Sequence, residues 1–209
     1  SAFAFAVSGN GSNTSAWSGT DITVENATLN SEAGAAVYHP QYGVITLTQD
    51  AVLTGCSGIE IRAGELNING AQITANGKFL TDENGQGNTT DGAAIIVVQH
   101  STKKAIEVNV TGGTFSAVGE GGRAFYQGNP QKNDQEDVDK IEMSVQNGTF
   151  NGIVESENFT GFVSGGNFNA LDAKYVAEDA VLYLQAGGTY SVGSADDAVE
   201  AGAIAIAGR

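Results

Sequence analysis

The chain has 209 residues, a formal net charge of −15, 29 glycines and only 2 prolines. A chain this acidic repels phosphate, so we do not expect nucleic acid or anionic membranes as partners. The single cysteine, Cys56, excludes an internal disulfide and a CxxC zinc site. No apolar run reaches the roughly 18 residues of a transmembrane helix, so we expect no membrane-spanning segment.

Residues 1–20 form a separate N-terminal segment that begins with a strand pattern. The stretch SAFAFAV, 1–7, alternates small and large apolar residues, as a β-strand with one apolar face does. Such a strand either caps its own end of a repeat fold or pairs with a neighbouring molecule by β-augmentation. This hypothesis gives the candidate assembly residues Phe3, Phe5 and Val7, together with Ile204 and Ile206 near the C terminus.

Residues 21–170 repeat one short phrase. It reads apolar, two polar or small residues, Ala or Gly, one polar, apolar, and it recurs about every 20 residues, a solenoid spacing. Gly or Asn at its centre predicts a sharp corner, because these residues tolerate positive φ. The closing apolar residue is predicted to point inward and to stack on its equivalents. The closing residues are Leu29, Leu53, Ile73, Phe115, Phe150 and Phe168.

A second phrase alternates with the first, so that each repeat is predicted to carry two short strands. Alternation with a period of two indicates strands, and no long stretch has helical periodicity. Two polar loops, 76–92 and 128–140, interrupt the period as insertions. The predicted fold is all-β, a parallel β-helix of about six coils, favoured over a β-sandwich or a β-propeller. Copies of the second phrase are GAAVYHPQYG (34–43), SGIEIRAG (57–64), GAAIIVVQ (92–99), GGRAFYQG (121–128) and NGIVES (151–156).

Two stretches resemble a module of large cell-surface proteins from gut Firmicutes. AAVYHPQYGVITLTQDAVLTGCSGIEIRAGELNINGAQITANG, which begins at Ala35, has the YHPQ-G turn and GIEIRAG coil of that module. KYVAEDAVLYLQAGGTYSV, 174–192, is similar to its closing segment, and the GGTF phrases are also typical. The resemblance covers about residues 20–192. It implies a pectate-lyase-like right-handed single-stranded β-helix, an adhesin-like role and an extracellular location, at the bacterial cell surface or secreted. It implies no catalytic residues.

Aromatic residues around a His-Pro corner are candidate ligand-binding groups. Tyr38, His39 and Tyr42 flank this corner, and aromatic faces stack on sugar rings. The same residues are also explained by a rigid turn in which Pro fixes φ. Alignment of the second phrases predicts that Tyr126 lies near Tyr38.

Two arginines are the candidate cationic groups for an acidic sugar. Arg62 and Arg123 are predicted at comparable positions of their repeats. A polysaccharide lyase would need such groups, but two arginines in a field of −15 are expected to bind a uronate poorly. Paired carboxylates for a glycosidase are not diagnostic, because 24 acidic residues always supply some pair.

The two insertions contain oxygen ligands of the kind that Ca²⁺ prefers. Neither insertion has the spacing of an EF-hand, and solvated acidic loops are the favoured explanation. We expect no cofactor, with structural calcium as the open alternative. The candidate calcium ligands are Asp82, Asn84 and Asp91 in the first insertion and Asp134 and Asp137 in the second.

Residues 171–209 are predicted to cap the C-terminal end. The segment VLYLQAGGTYSVG, 181–193, is typical of a β-hairpin, and AGAIAIAG, 201–208, of an uncharged strand. The resulting hypothesis is a non-enzymatic bacterial surface module, adhesin-like or assembly-forming, that contacts glycans, a host surface protein or its own kind. The alternatives are a filament subunit joined head-to-tail through its terminal strands and a carbohydrate-active β-helix enzyme.

Overall fold

The computed structural model describes residues 3–6, 19–82 and 87–207. Within these ranges, 17 strands form one large sheet and two more form a small antiparallel sheet. The strands are β1 (Phe5–Ala6), β2 (Thr20–Val24), β3 (Thr28–Asn30), β4 (Ala35–His39), β5 (Gly43–Thr48), β6 (Val52–Gly55), β7 (Ser57–Ile61), β8 (Gly64–Ala75), β9 (Leu80–Thr81), β10 (Thr90–Asp91), β11 (Ala93–Val98), β12 (Ile106–Ala117), β13 (Arg123–Gly128), β14 (Ile141–Val145), β15 (Thr149–Ser156), β16 (Gly166–Ala170), β17 (Val181–Leu184), β18 (Tyr190–Gly193) and β19 (Ala205–Ala207). The helices are α1 (Gln135–Val138), α2 (Ala195–Glu200) and a 3-10 helix, Ala173–Tyr175.

The large sheet consists of three ladders of parallel strands, which we number in the order in which the chain visits them. Ladder 1 contains β2, β5, the first half of β8, the first half of β12, and β14. Ladder 2 contains β3, β6, the second halves of β8 and β12, the first half of β15, and β16. Ladder 3 contains β1, β4, β7, β11, β13 and the second half of β15. The prediction of an all-β chain with parallel pairing is confirmed.

The closing residues of the first phrase form one column in ladder 2, as predicted. Each is the register partner of the next, from Leu29 through to Phe168. The rings of Phe115 and Phe150 lie 4.8 Å apart, and those of Phe150 and Phe168 also lie 4.8 Å apart with an interplanar angle of 9°. Burying a side chain of this size contributes about 1.5–3 kcal/mol, so the column is a main source of stability.

The first phrase contributes to two ladders. Two strands per repeat, as predicted, are found where one strand runs through the bend, in β8 with β11 and in β12 with β13, and elsewhere the phrase is divided into two strands, as in β5 and β6. In β12 the bend falls at Gly112 and Gly113, where the register with β8 shifts. Gly113 has a φ of +134°, and an added Cβ would lie 2.6 Å from the carbonyl oxygen of Ala71. Only glycine fits this close approach. The corner therefore separates ladder 1 from ladder 2.

Ladder 3 is formed by the second phrase and is buried on both faces. One face turns inward, where Val37, Ile59 and Ile95 are register partners in the main core. The other face packs under the insertions, so strands such as β7 and β11 are buried at every position. Continuous burial explains why these strands read as apolar runs without alternation.

Antiparallel strands follow ladder 2 at the C-terminal end. The predicted hairpin is confirmed, with β17 paired to β18. β18 also pairs antiparallel to β16, and β19 pairs antiparallel to β17. Helix α2, which the sequence did not predict, begins at a capping box between Ser194 and Asp197. The change from parallel to antiparallel pairing ends the repeat.

Candidate functional site

A buried ion pair holds the first insertion against ladder 3. The carboxylate of Glu60 accepts hydrogen bonds from the N–H (2.9 Å) and hydroxyl (3.0 Å) of Thr89 and from the N–H of Thr90 (3.3 Å). Nε of Arg62 lies 3.8 Å from Oε1 of Glu60, and both side chains are fully buried. Nη1 of Arg62 donates to the carbonyl oxygen of Gly87 at 2.8 Å. The two charged residues therefore fix the segment 87–90.

Burial controls the charge of this pair. It raises the pKa of Glu60 from 4.5 to about 7, although Arg62 and the hydrogen bonds from Thr89 act in the opposite direction. Nε and Nη2 of Arg62 have no hydrogen-bond partner within the described ranges. Desolvation of such a pair offsets most of its Coulomb attraction. We therefore assign the pair a positioning role for the insertion.

Tyr38 and His39 lie on opposite faces of β4, because successive side chains alternate along a strand. Tyr38 stacks on Phe3, with ring centroids 4.9 Å apart, and its hydroxyl accepts a hydrogen bond from Nη1 of Arg62 at 3.3 Å. His39 is fully buried, with Nδ1 3.1 Å from the carbonyl oxygen of Ala63. Burial lowers the pKa of His39, which keeps the imidazole neutral. Both side chains are packed within the fold.

Tyr126 does not lie beside Tyr38, so that prediction is wrong. The two tyrosines share the outer face of ladder 3, but Glu60 and Ile96 stand between them. At the usual strand spacing of about 4.8 Å, three steps separate them by about 14 Å. The alignment of the phrases gives the shared face, but Tyr38 and Tyr126 belong to the first and the fourth copy, and the strands stack in chain order.

Arg62 and Arg123 do not occupy comparable positions, which corrects a second prediction. Arg123 begins β13 as the register partner of Ala93, whereas Arg62 follows the last residue of β7. The guanidinium of Arg123 lies 3.8 Å from the ring centroid of Phe79, and its Nε lies 2.7 Å from Oε2 of Glu155. Each arginine is thus paired with a carboxylate of its own ladder.

Two of the three candidate calcium ligands of the first insertion, Asp82 and Asp91, lie within the described residues. Asp82 is exposed directly after β9, and Oδ1 of Asp91 accepts a hydrogen bond from Nδ2 of Asn88 at 3.1 Å. Asn84 lies outside the described residues. No group of three or more His, Cys, Asp or Glu side chains is placed to hold a metal ion in the part of the chain that is described.

The candidate ligands of the second insertion contact lysines. Nζ of Lys103 lies 3.3 Å from Asp134 and 2.7 Å from Asp137, and Nζ of Lys140 lies 2.6 Å from Asp137. These ion pairs join the insertion to the turn before ladder 1. A calcium ion here would have to displace at least one ammonium group.

A groove of about 390 Å³ crosses the outer face of ladder 1. It begins at Tyr42 and runs over the starts of β5, β8, β12 and β14. Gly43 and Gly64 form part of its floor, with φ values of +124° and +85°. A Cβ on Gly64 would lie 2.4 Å from the carbonyl oxygen of Gly43, so the floor stays free of side chains. Nζ of Lys104 lies 5.6 Å from the centroid of the Tyr42 ring.

Carboxylates and amides repeat along this groove. Glu65, Glu107 and Glu142 line it and are register partners on consecutive strands. Asn67 donates to Glu65 at 2.7 Å, and Asn109 donates to Glu107 at 3.0 Å. Three of the four strands that the groove crosses, β8, β12 and β14, therefore present a carboxylate at the same register position, at steps of about 4.8 Å, whereas β5 has Val44 there.

The N-terminal assembly candidates pair within their own chain where they are described. Phe5 is the register partner of Val37 at the first edge of ladder 3, and Phe3 covers Tyr38. Val7 falls outside the ranges that the structure describes. The short strand β1 therefore covers part of this end of the stack.

The C-terminal candidates lie at the other edge. The N–H of Ile204 donates to the carbonyl oxygen of Leu184 at 3.0 Å, and the side chain of Ile204 is 65% exposed. Ile206 is the register partner of Tyr183 in the pairing of β19 with β17. For the side chain of Ile206, the assembly hypothesis stays a prediction.

The acidic residues of the ladder 1 groove and of the outer face of ladder 3 were not identified from the sequence. Glu65, Glu107 and Glu142 each precede an inward apolar residue, and this recurrence was a signal that the alignment contained. Glu60 stands in a run of apolar residues, where a lone acid indicates a buried partner. The sequence indicates Arg62 as a candidate cationic group, but it does not show that Glu60 is its partner.

Comparison with known proteins gives no family, because no family model, curated protein or solved structure matches the chain. The described helices are too short or too polar to cross a membrane.

Proposed function

We propose that the chain is a non-enzymatic surface module, a right-handed parallel β-helix whose ladder 1 groove binds a glycan chain. The β-helix is supported by the order in which the chain visits the ladders, since β5, β6 and β7 lie in ladders 1, 2 and 3 and the next strands return to ladder 1. Connections between parallel strands are right-handed in nearly all known cases. The resemblance to bacterial surface modules supports an extracellular location.

One observation carries the binding proposal: the groove repeats a carboxylate on three consecutive strands, β8, β12 and β14. Three carboxylates in register span two steps, about 10 Å at the usual strand spacing. A repeating groove suits a repeating, extended ligand that lies along the axis of the stack. Tyr42 offers a ring face to the apolar side of a sugar, and the carboxylates accept hydrogen bonds from its hydroxyls.

The charge of the groove selects among glycans. Glu65, Glu107 and Glu142 outnumber the single lysine of its lining, Lys140. These carboxylates repel an anionic glycan, and the net charge of −15 on the protein adds to this repulsion. Neutral or amine-bearing glycans are therefore the expected ligands, and uronates or sulfated chains are not.

The enzyme alternative is less well supported by the geometry. A lyase needs cations beside the acidic sugar, yet Arg62 is buried with Glu60 and Arg123 is paired with Glu155. The filament alternative depends on terminal strands that are available to a second copy. Both β1 and β19 pair within their own chain, which favours capping.

The test is a binding measurement on immobilised neutral, amine-bearing and acidic polysaccharides with matched variants. Tyr42→Ala removes the ring from the groove, whereas Tyr190→Ala removes a ring that is 36% exposed at the C-terminal end. We expect Tyr42→Ala to weaken binding by about tenfold, the loss typical of an aromatic anchor, and Tyr190→Ala to leave it unchanged.

Two results would overturn the proposal. One is the absence of binding to every neutral and amine-bearing chain, and the other is equal binding by wild type and Tyr42→Ala. A reducing-sugar assay on the bound polysaccharides tests the enzyme alternative. Release of oligosaccharide would show that the chain is a hydrolase or lyase and not only a binding module. Light scattering of the same samples tests the filament alternative through the mass in solution.

A further inference from the structure

A second cavity, of about 230 Å³, lies where the two insertions meet. Thr81 and Asp82 come from the first insertion, which precedes β11 in ladder 3. Asn129, Pro130 and Lys132 come from the second insertion, which follows β13 in the same ladder. Long insertions in a repeat fold map to loops on one face, and this face is often the binding face. The convergence of both insertions on one cavity is therefore a functional signal.

Tyr126 and Glu157 form the ladder side of this cavity and are held rigidly. The hydroxyl of Tyr126 donates to Oε1 of Glu157 at 2.6 Å. The ring of Tyr126 packs edge-on against Phe79, with centroids 5.1 Å apart. Oε2 of Glu157 accepts a hydrogen bond from the N–H of Asn129 at 3.1 Å. Groups that are fixed before a ligand arrives lose little entropy on binding.

Hydrogen bonds within the second insertion fix its wall. The side chain of Asn129 accepts from the N–H of Asn133 at 2.9 Å and donates to its carbonyl oxygen at 2.8 Å. The N–H of Lys132 donates to the carbonyl oxygen of Asn129 at 3.0 Å, and Lys132 has a φ of +54°. A tight turn therefore places Lys132 at the rim.

The wall from the first insertion is fixed by the buried ion pair. The N–H of Asp82 donates to the carbonyl oxygen of Thr89 at 2.8 Å, and Thr81 is the register partner of Thr90. Glu60 in turn holds Thr89 and Thr90 through its carboxylate. The positions of Thr81 and Asp82 are thus set by a residue beneath the insertion.

The lining combines the groups that recognise a sugar ring. Asp82 and Glu157 supply acceptors, Lys132 and the hydroxyl of Thr81 supply donors, and Pro130 adds apolar surface beside the aromatic ring. Hydroxyls of a sugar need both donors and acceptors, and its C–H face needs an apolar wall. The volume lies below the roughly 300–1,000 Å³ of pockets for drug-sized ligands, so it suits one ring and not a chain.

We propose that this cavity binds a single sugar residue, such as the terminal unit of a glycan or a free monosaccharide. It lies on ladder 3, whereas the proposed polysaccharide groove lies on ladder 1, so neither site depends on the other.

The experiment is a titration of the full chain, labelled with ¹⁵N, with neutral hexoses, N-acetylhexosamines and hexuronic acids. We expect saturable binding in the millimolar range by at least one sugar, with shifts confined to the amides around 79–82 and 126–132. Asp82→Ala and Lys132→Ala remove rim groups without touching the core, and each is expected to weaken binding by about fivefold or more. Asp50→Ala, at an exposed acid elsewhere, is the charge control.

Failure of this proposal is distinct from failure of the groove. It is overturned if no sugar saturates, if the shifts fall around Tyr42, or if Asp82→Ala and Lys132→Ala bind as the wild type does. Tyr42→Ala is expected to leave monosaccharide binding unchanged. Loss of monosaccharide binding in Tyr42→Ala would also count against the cavity, because it would place the sugar in the ladder 1 groove.

Discussion

Replacement of Glu60 by Gln is expected to change how stability depends on pH. Gln keeps the shape of Glu60 and cannot titrate. It has one acceptor oxygen in place of two, so it keeps only part of the hydrogen bonds from Thr89 and Thr90, a loss that does not depend on pH. The wild-type carboxyl has a pKa of about 7 in the folded chain, raised from 4.5 by burial beside Arg62. The substitution therefore isolates the titration of one buried group from the many exposed acids.

The sign and size follow from linkage. A pKa that is raised in the folded state means that protonation stabilises the fold, fully below pH 4.5, and that this stability is lost as the pH rises through about 7. At about 1.36 kcal/mol for each pKa unit, the difference between 4.5 and about 7 corresponds to about 3 kcal/mol. Between pH 4.5 and about pH 8, the free energy of unfolding of Glu60→Gln should therefore rise relative to that of the wild type by about this amount.

Urea denaturation across this pH range gives the free energy of unfolding of both proteins. Glu107→Gln removes one exposed carboxylate from ladder 1 and is the matched control, with a difference from wild type that we expect to stay small throughout. Parallel curves for wild type and Glu60→Gln would refute the reasoning. So would a difference that moves in favour of the wild type with rising pH, because Arg62 and the donors from Thr89 would then hold the carboxylate ionised.

Three further predictions, tested with five substitutions, concern the stack and its cap. Phe150→Ala removes a middle ring of the ladder 2 column and should lower the free energy of unfolding by about 3–5 kcal/mol. Val118→Ala, at a side chain that is 71% exposed, should change it by less than about 0.5 kcal/mol. Equal effects of the two substitutions in urea denaturation would contradict an inward-facing column. Gly188→Ala, with a φ of +83° and no atom within 4 Å of an added Cβ, should cost about 1–2 kcal/mol through backbone strain alone. Gly64→Ala adds a contact of 2.4 Å with a backbone oxygen and should lower the melting temperature further; the reverse order would argue against the close approach. Ser194→Ala removes the capping box of α2 and should cost about 1 kcal/mol, seen as faster amide exchange in 195–200, and unchanged exchange would be evidence against the cap.

The repeat could be predicted from the sequence because each copy encodes its own corner. A small residue before the closing Leu, Ile or Phe is a local requirement, and Gly113 and Gly148 show it in their positive φ values. The number of ladders could not be predicted in this way. A strand that bends at glycines, as β12 does, has the same letters as a single straight strand followed by a turn.

The contacts between distant segments could not be predicted from the sequence for a different reason. Glu60 meets Thr89 across 29 positions, and the pairing depends on how the insertion folds back over ladder 3. Tyr126 meets Glu157 across 31 positions, and Glu157 lies just after the end of β15. A periodic pattern fixes the face of a residue and the order of the strands, but it does not say how residues beyond the strand ends, such as Thr89 and Glu157, fold back onto that face.

The reversal of strand direction at β16 has a consequence for how the chain is made. While the polypeptide emerges from the ribosome, every length that ends inside the parallel region exposes a fresh backbone edge to other nascent chains. The antiparallel hairpin of β17 and β18 is the element that covers ladder 2, and it exists only once residue 193 has been added. Fragments that terminate before residue 193 should therefore aggregate through their exposed strand edge. Chains that include the hairpin should remain soluble.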